Sequence, residues 1–324
     1  MWQPFPPPRE LVDFIRNGSK FIIAGHKEPD ADCIGSQLAL ASALRRLGKD
    51  VVLCSAGPFK RTEVQPYKAL FLPELDDAAR CGASVIVIDC SMEERTGTLA
   101  PSLRGLPTAL IDHHASGTPY GTVRYLDSAA PSTTALVFAL ITSLGLSPTT
   151  EEAEFLFFGL AADTGFFRHV DDGGERVYAL ASELIHYGAN PKKTFAQMNG
   201  GKTLNSRLLM ANVLSRAKSY LGGRLIISTE ELEETERFGL ESRDSDMLYQ
   251  LIQSIEGVEA IALIRQESPE KCSVGLRSRD TIDVSQVAAC FGGGGHKNAA
   301  GFLIEAGIAG LLPRILAEFE KIMG

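Results

Sequence analysis

Four short stretches of the chain concentrate carboxylates and imidazoles. His26, Asp30 and Asp32 stand in "HKEPDADCIGS" (26–36), Asp89 in "VIDCS" (87–91), Asp112, His113 and His114 in "IDHHAS" (111–116), and Asp163 in "GLAADTGFF" (159–167). Carboxylates gathered in one place repel one another and cannot all ionise without compensation. A buried aspartate is costly unless it is paired. Lysine and arginine are few near these stretches, so divalent cations are the direct remedy. Mixed oxygen and imidazole donors suit Mn²⁺, Mg²⁺, Zn²⁺ or Fe²⁺ rather than a thiolate-bound metal. With at least six candidate ligands, two ions are more economical than one. A metal pair about 3.5–4 Å apart clamps a phosphate for in-line displacement. Each group also has a plainer reading. Asp30 or Asp32 could be a helix N-cap, Asp112-His113-His114 a solvated turn, and Asp163 the cap of a kink before Thr164-Gly165. Their joint occurrence at strand ends favours the metal site.

These side chains need elements to hold them. "KFIIAG" (20–25), "DVVLCS" (50–55), "ASVIVIDC" (83–90) and "TALIDHH" (108–114) read as short buried strands. Between and after them run helical patterns: "CIGSQLALASALRRLG" (33–48), "PSTTALVFALITSLG" (131–145, opening on Pro131), "TEEAEFLFFGLAADTGFF" (150–167) and "GERVYALASELIHYG" (174–188). The alternation predicts an α/β fold: an N-terminal domain with a largely parallel sheet flanked by helices. Ligands of such sheets bind beyond the carboxyl ends of the strands. Three of the four strands end in the candidate ligands, and Asp163 interrupts an otherwise apolar helix.

The character of the sequence changes at about 190–205, which predicts a catalytic domain over 1–195 and a smaller mixed α/β domain over 196–324, across a cleft. In the second, "FGGGGHKNAAGF" (291–302) holds four consecutive glycines. Glycine lets backbone N–H groups approach an anion closely, which makes Gly293, Gly294, Gly295 and His296 candidate substrate contacts; the plainer reading is a tight turn. Arg277 and Arg279 in "CSVGLRSRD" fall two apart on a strand and so on one face, suited to phosphate oxygens. Of the two, Arg277 is favoured. Arg168 and His169 form either a lip of the site or a solvated turn, and His186 reads as structural.

Composition narrows the class. A chain of 324 residues suggests about two domains at roughly 150 residues each. The net charge of −8 and pI of about 5.4 are not those of a protein that grips long nucleic acid, but leave room for a short phosphorylated ligand. The six cysteines include no C-x-x-C pair, which argues against a zinc knuckle or redox motif and for reduced, mostly buried thiols. No signal peptide and no apolar run of ~18 residues is read in the sequence, so a cytoplasmic protein with no membrane partner is expected.

In order and separation, the four acidic stretches resemble the motifs of the DHH phosphoesterase family, and "FGGGGHKNAAGF" resembles the glycine-rich motif of that family's associated C-terminal domain. The resemblance spans nearly the whole chain. By length and two-domain layout it is most similar to the nanoRNase/pAp phosphatase subgroup. It implies hydrolysis of very short oligoribonucleotides and removal of the 3′-phosphate of 3′-phosphoadenosine 5′-phosphate (pAp). It also implies two divalent ions, Mn²⁺ first among them. His26 and Asp30 would hold one, Asp32, His113 and Asp163 the other, and Asp89 would bridge. Asp112 would orient a histidine, and His114 would face the substrate phosphate as a proton donor. No family role attaches to Cys33. The expected partners are short RNA and nucleoside bisphosphates, not long nucleic acid, and a homodimer is compatible with the reading. The alternatives within the superfamily are hydrolysis of linear diadenylate or of short polyphosphate. A single-strand DNA exonuclease is disfavoured, because the chain lacks room for an added OB-type domain. The alternative from another class is a catalytically silent nucleotide-binding sensor, which missing ligands would betray.

Overall fold

The computed structural model describes residues 6–114, 118, 120–279 and 282–324. Ala115 and Ser116, which end the third acidic stretch, and Asp280, which ends "CSVGLRSRD", lie outside them. The chain divides into two compact units, Met1–Gly201 and Lys202–Gly324.

The first unit is built on five parallel strands: β1 (Lys20–Ala24), β2 (Asp50–Cys54), β3 (Ser84–Ile88), β4 (Thr108–Asp112) and β5 (Val123–Leu126). Their order is β2-β1-β3-β4-β5. Both faces of the central strands are covered, which is why these strands read as unbroken apolar runs. Phe21, Ile23, Ile86, Ile88 and Ile111 pack into one cluster with the main helices. Ile22, Ala24, Val85, Val87 and Leu110 pack into another, with Leu99 and Leu103. The strand order reverses between β1 and β3, and a crevice for ligands opens at such a point, beyond the carboxyl ends. β5 was not expected; it is a short, half-exposed edge strand.

Two of the helices differ from the sequence expectation at their starts. The first begins at Ala31 rather than Cys33, because Asp30 caps it: the Asp30 carboxylate accepts the Cys33 N–H at 3.1 Å. The second runs Thr133–Ser143, capped by the Ser132 hydroxyl rather than opened by Pro131. The Thr150–Asp163 helix stops four residues short of the expected end, so that Asp163 is its last residue instead of an interruption. It crosses the Ala31–Arg46 helix at two glycines. A Cβ on Gly35 would strike the Phe155 carbonyl, and one on Gly159 would lie 2.7 Å from an Asp32 carboxylate oxygen.

The second unit carries β6 (Lys218–Tyr220), β7 (Leu225–Glu230), β8 (Ala260–Ser268), β9 (Lys271–Ser278), β10 (Gly294–His296) and β11 (Ala299–Glu305), in the order β10-β11-β9-β8-β7-β6. All pairings are antiparallel except β7 with β8, so this sheet is mixed. One face packs on the helices Val284–Cys290 and Ile308–Met323. On the other, the helices Leu204–Ser215 and Ser245–Gln253 cluster with Ile226, Ile261 and Leu263 of β7 and β8. Among the described residues no helix is long and apolar enough to cross a membrane.

Candidate metal centre

The strand ends at the β1/β3 reversal deliver the acidic stretches to one place. After β1, His26 is almost wholly buried. Its Nδ1 lies 2.8 Å from the Lys27 carbonyl oxygen. Nδ1–H therefore donates to that carbonyl, and Nε2 keeps its lone pair for a ligand. Nε2 sits 3.4 Å from Asp89 and 3.7 Å from Asp30. Asp89 follows β3 with φ at +58°, a left-handed conformation that non-glycine residues seldom adopt. After β4, the His113 ring donates from Nδ1 to the Ala130 carbonyl at 3.3 Å. Its Nε2 lies 3.0 Å from Asp163, 3.8 Å from Asp89 and 3.9 Å from Asp32. The donor atoms of Asp32, His113 and Asp163 all fall within 4.8 Å of one another, and Asp89 joins two further such groups, one with His26 and Cys33 and one with His113 and His114.

Asp32 is fully buried. It survives there because the helix that starts at Thr133 points its first amides at it: Thr133 N–H donates to Oδ2 at 2.7 Å and Thr134 N–H to Oδ1 at 2.9 Å. The Thr133 hydroxyl donates to Asp89 Oδ1 at 2.9 Å. Helix N-termini favour anions in this way. Thr133 and Thr134 escaped the sequence reading; the only hint was a Ser-Thr-Thr run opening an apolar helix.

The electrostatics show what the arrangement lacks. Burial, then the neighbouring Asp163 and Asp89 charges, push the Asp32 carboxyl well above the ordinary carboxylate range. Burial and the Asp89 charge likewise raise Asp163, against the pull of His113. Burial would lower His113, but its hydrogen bond to Asp163 and the charges of Asp32 and Asp89 outweigh it and push the imidazole up to about 10. The two raised carboxyls lack the positive charge that would favour their ionised forms. The donor set, mixed carboxylate and imidazole, fits oxygen-loving divalent ions.

Asp112 packs against His114. One carboxylate oxygen accepts the His114 backbone N–H at 3.0 Å and lies 2.7 Å from its Nδ1. Burial opposes ionisation of Asp112, but hydrogen bonds from His114 hold it below its usual value, and it in turn raises His114. The pair fixes the ring so that Nε2 is the free nitrogen. Beyond Asp163 lies a cavity of about 430 Å³, walled by Pro131, Thr164, His169 and Val177 among others. His169 thus borders the cavity, while His186 is an exposed residue at the C-terminal end of the Glu175–His186 helix.

In the second unit, the last two glycines of the run belong to a hairpin strand, and Gly292 and Gly293 lead into it. Gly294–His296 pairs with Ala299–Gly301, and Ala299 pairs in turn with Arg277. Directly opposed residues of antiparallel strands share a face, so His296, Ala299 and Arg277 line one side. Gly294, Gly301 and Gly275 form a neighbouring row of bare backbone. The Arg277 guanidinium lies over the Tyr249 ring at 4.5 Å. A Cβ at Gly295 would lie 2.5 Å from the Ala299 carbonyl, so only glycine fits. Arg279 falls beyond the end of β9, where its guanidinium donates to the Gln253 carbonyl at 2.5 Å.

Comparison with known proteins agrees with this layout. The chain matches the DHH family, N-terminal domain, over residues 20–160 and the DHHA1 domain over residues 217–324. It is 32% identical over 286 residues to the bifunctional oligoribonuclease and PAP phosphatase NrnA of Thermus thermophilus, covering 86% of this chain and 82% of that protein. Among solved structures, an exopolyphosphatase-related protein from Bacteroides fragilis shares the fold with a TM-score of 0.80 at 23% identity, over 96% of each chain. RecJ from Thermus thermophilus in complex with Mn²⁺ aligns with a TM-score of 0.53 at 17% identity, covering 99% of this chain and 55% of that one.

Proposed function

The chain belongs to the DHH phosphoesterase family, and on that premise we propose that it hydrolyses very short oligoribonucleotides and pAp with the help of two divalent ions. The observation that carries the reading is the meeting of His26, Asp30, Asp32, Asp89, His113 and Asp163 at the strand-order reversal, with no ligand position lost. A silent sensor would have no need of the complete set. We assign His26 and Asp30 to one ion, Asp32, His113 and Asp163 to the other, and Asp89 to both. Mn²⁺ is the first choice, by the donor chemistry and by the Mn²⁺ held in the RecJ structure of like fold.

When bound, the two ions supply Lewis acidity at the phosphoryl group and lower the pKa of water. The chain's own residues do the rest. His114, held by Asp112 through Nδ1, turns Nε2 to the scissile phosphate and supplies a proton to the departing oxygen. The cavity bordered by Asp163 and His169 lies within the roughly 300–1,000 Å³ usual for small-molecule sites and receives a nucleoside of the substrate. The first unit, through Gly201, is the catalytic domain and the second, from Lys202, the substrate-binding one, the expected boundary at 195/196 falling inside the Pro191–Asn199 helix; in the second, Arg277, His296 and the backbone of Gly293, Gly294 and Gly295 bind a non-reacting phosphate. Arg279, occupied at the Gln253 carbonyl, is the weaker candidate. Small water-soluble nucleotides of this kind suit a cytoplasmic enzyme.

The test is turnover of pAp, pApA and RNA of two to five nucleotides with added Mn²⁺, beside a long RNA. Wild-type protein should yield AMP and phosphate from pAp and mononucleotides from the short RNAs, and leave the long RNA largely intact. Asp89→Ala should lower turnover by at least about a thousandfold, since metal catalysis contributes several kcal/mol. Near-wild-type activity of that variant, or no turnover of any short substrate by the wild type, would overturn the reading.

A further inference from the structure

We propose that Cys33 is a thiolate ligand of the ion on the His26–Asp89 side of the centre, and that its sulfur tilts this one position toward softer divalent ions such as Zn²⁺, Co²⁺ or Cd²⁺. The inference rests on the metal-centre reading above and goes beyond it in naming a donor of different chemistry.

Three observations carry it. The Cys33 sulfur, a ring nitrogen of His26 and a carboxylate oxygen of Asp89 all lie within 4.8 Å of one another, and all three residues are buried. Nitrogen and sulfur donors stand about 2.0–2.1 and 2.3 Å from a zinc-like ion, so two of them can be about 4.4 Å apart at most. Only small adjustments separate the observed triangle from a coordination shell.

The second observation is the company the sulfur keeps. Cys54 and Cys90 pack in an apolar cluster with Val85, Val87 and Leu110, and Cys272 packs in another with Val274 and Leu276, as inert buried thiols do. Cys33 is fully buried as well but belongs to none of the apolar clusters among the described residues. It faces the ionisable groups instead.

The third is Gln37, one helical turn further on and also fully buried. Its side-chain Nε2 donates to the Cys33 sulfur at 3.3 Å, while its Oε1 is buried with no hydrogen-bond partner among the described residues. A buried glutamine that leaves its oxygen unpaired is costly. Its N–H is turned to the sulfur instead, the place a supporting partner takes behind a metal ligand. Gly25 completes the niche: a Cβ there would strike the Cys33 sulfur and lie 2.7 Å from the Gln37 amide nitrogen. On binding, the thiol proton leaves to solvent and the sulfur lone pair joins His26 and Asp89 at the ion. The Asp32–His113–Asp163 group has no sulfur and keeps its preference for harder ions.

The experiment is absorption spectroscopy of the full-length protein titrated with Co²⁺ after metal removal. The wild type should show visible cobalt bands together with an intense near-ultraviolet sulfur-to-cobalt band. Cys33→Ala should keep the visible bands and lose the near-ultraviolet one, and Cys33→Ser, which retains a polar partner for Gln37, should lose it too. Cys90→Ala, next in sequence to Asp89, should retain it. In parallel, Cd²⁺ affinity should fall at least about tenfold in Cys33→Ala, while Mn²⁺ affinity changes by less than about threefold. Visible bands without a near-ultraviolet band in the wild type, or a near-ultraviolet band that survives in Cys33→Ala, would overturn the thiolate and leave the metal centre standing. Absence of any cobalt band in the wild type would overturn both.

Discussion

Thr133 offers the sharpest test of how the centre is held, because it touches two ligands through different atoms. Its hydroxyl donates to Asp89 and its backbone N–H to Asp32. Thr133→Val removes the first contact and keeps the second, with a side chain of the same branching. Asp89 then has a buried carboxylate oxygen with one donor fewer. A hydrogen bond to a charged group is worth roughly 1.5–3 kcal/mol, which converts to a loss of about 10- to 150-fold in affinity for an ion that needs Asp89 in place. That matches the ~10–100-fold usual when a supporting partner of a metal ligand is removed. The assay is calorimetric titration of metal-stripped protein with Mn²⁺, with circular dichroism to establish that the fold is intact. Thr133→Ser keeps the hydroxyl and should bind like the wild type. An Mn²⁺ dissociation constant for Thr133→Val within about threefold of wild type would refute the claim that this hydroxyl positions Asp89.

Three more outcomes follow from the geometry. In metal-free protein the His113 imidazole is raised from its ordinary 6.5 to about 10, so its stabilising contribution is complete below pH 6.5 and is lost as pH climbs through 10. The raised carboxyls of Asp32 and Asp163 act in the same direction. The melting temperature with chelator should therefore fall over that window and be restored most by Mn²⁺ at its upper end; a flat metal-free profile would contradict this. His114→Ala should lower turnover of pAp by about 100- to 10,000-fold, as for loss of a general acid, with bound Mn²⁺ unchanged by elemental analysis; loss of metal instead would make His114 a ligand. In the second unit, buried Glu230 is bonded to Arg243 at 2.6 Å and Arg265 at 3.0 Å. Glu230→Ala takes from Arg265 the carboxylate it pairs with and leaves Arg243 with Glu267, and should cost about 3–5 kcal/mol in denaturant unfolding.

The candidate ligands were legible in the sequence because side-chain type carries their chemistry and strand ends carry their place. Asp30 shows the limit of choosing between readings: it is a helix cap, as the plain interpretation had it, and it also lies beside His26. What stayed hidden was work done by groups that every residue owns. The amides of Thr133 and Thr134 cradle Asp32, and no side-chain pattern announces an amide. β5 and β6 escaped because they are short, partly exposed edge strands whose pairing is decided by their neighbours. β10 escaped because glycine has little strand propensity of its own; its register comes from β11. Helix ends were misjudged at Pro131 and after Asp163, where a hydroxyl cap and a run of left-handed residues, Gly165 to Phe167, set the boundary.

Asp89 keeps a backbone conformation that costs an L-residue on the order of 1 kcal/mol or more, and it brings a like charge to a crowded place. Asparagine would shed the charge, and glycine would shed both burdens. Drift or artificial selection that rewards only endurance would therefore erode this position early. A descendant with glycine or asparagine here would be sturdier and chemically mute. On the bridging role proposed for it, an aspartate kept at 89 marks a copy selected for chemistry rather than for endurance.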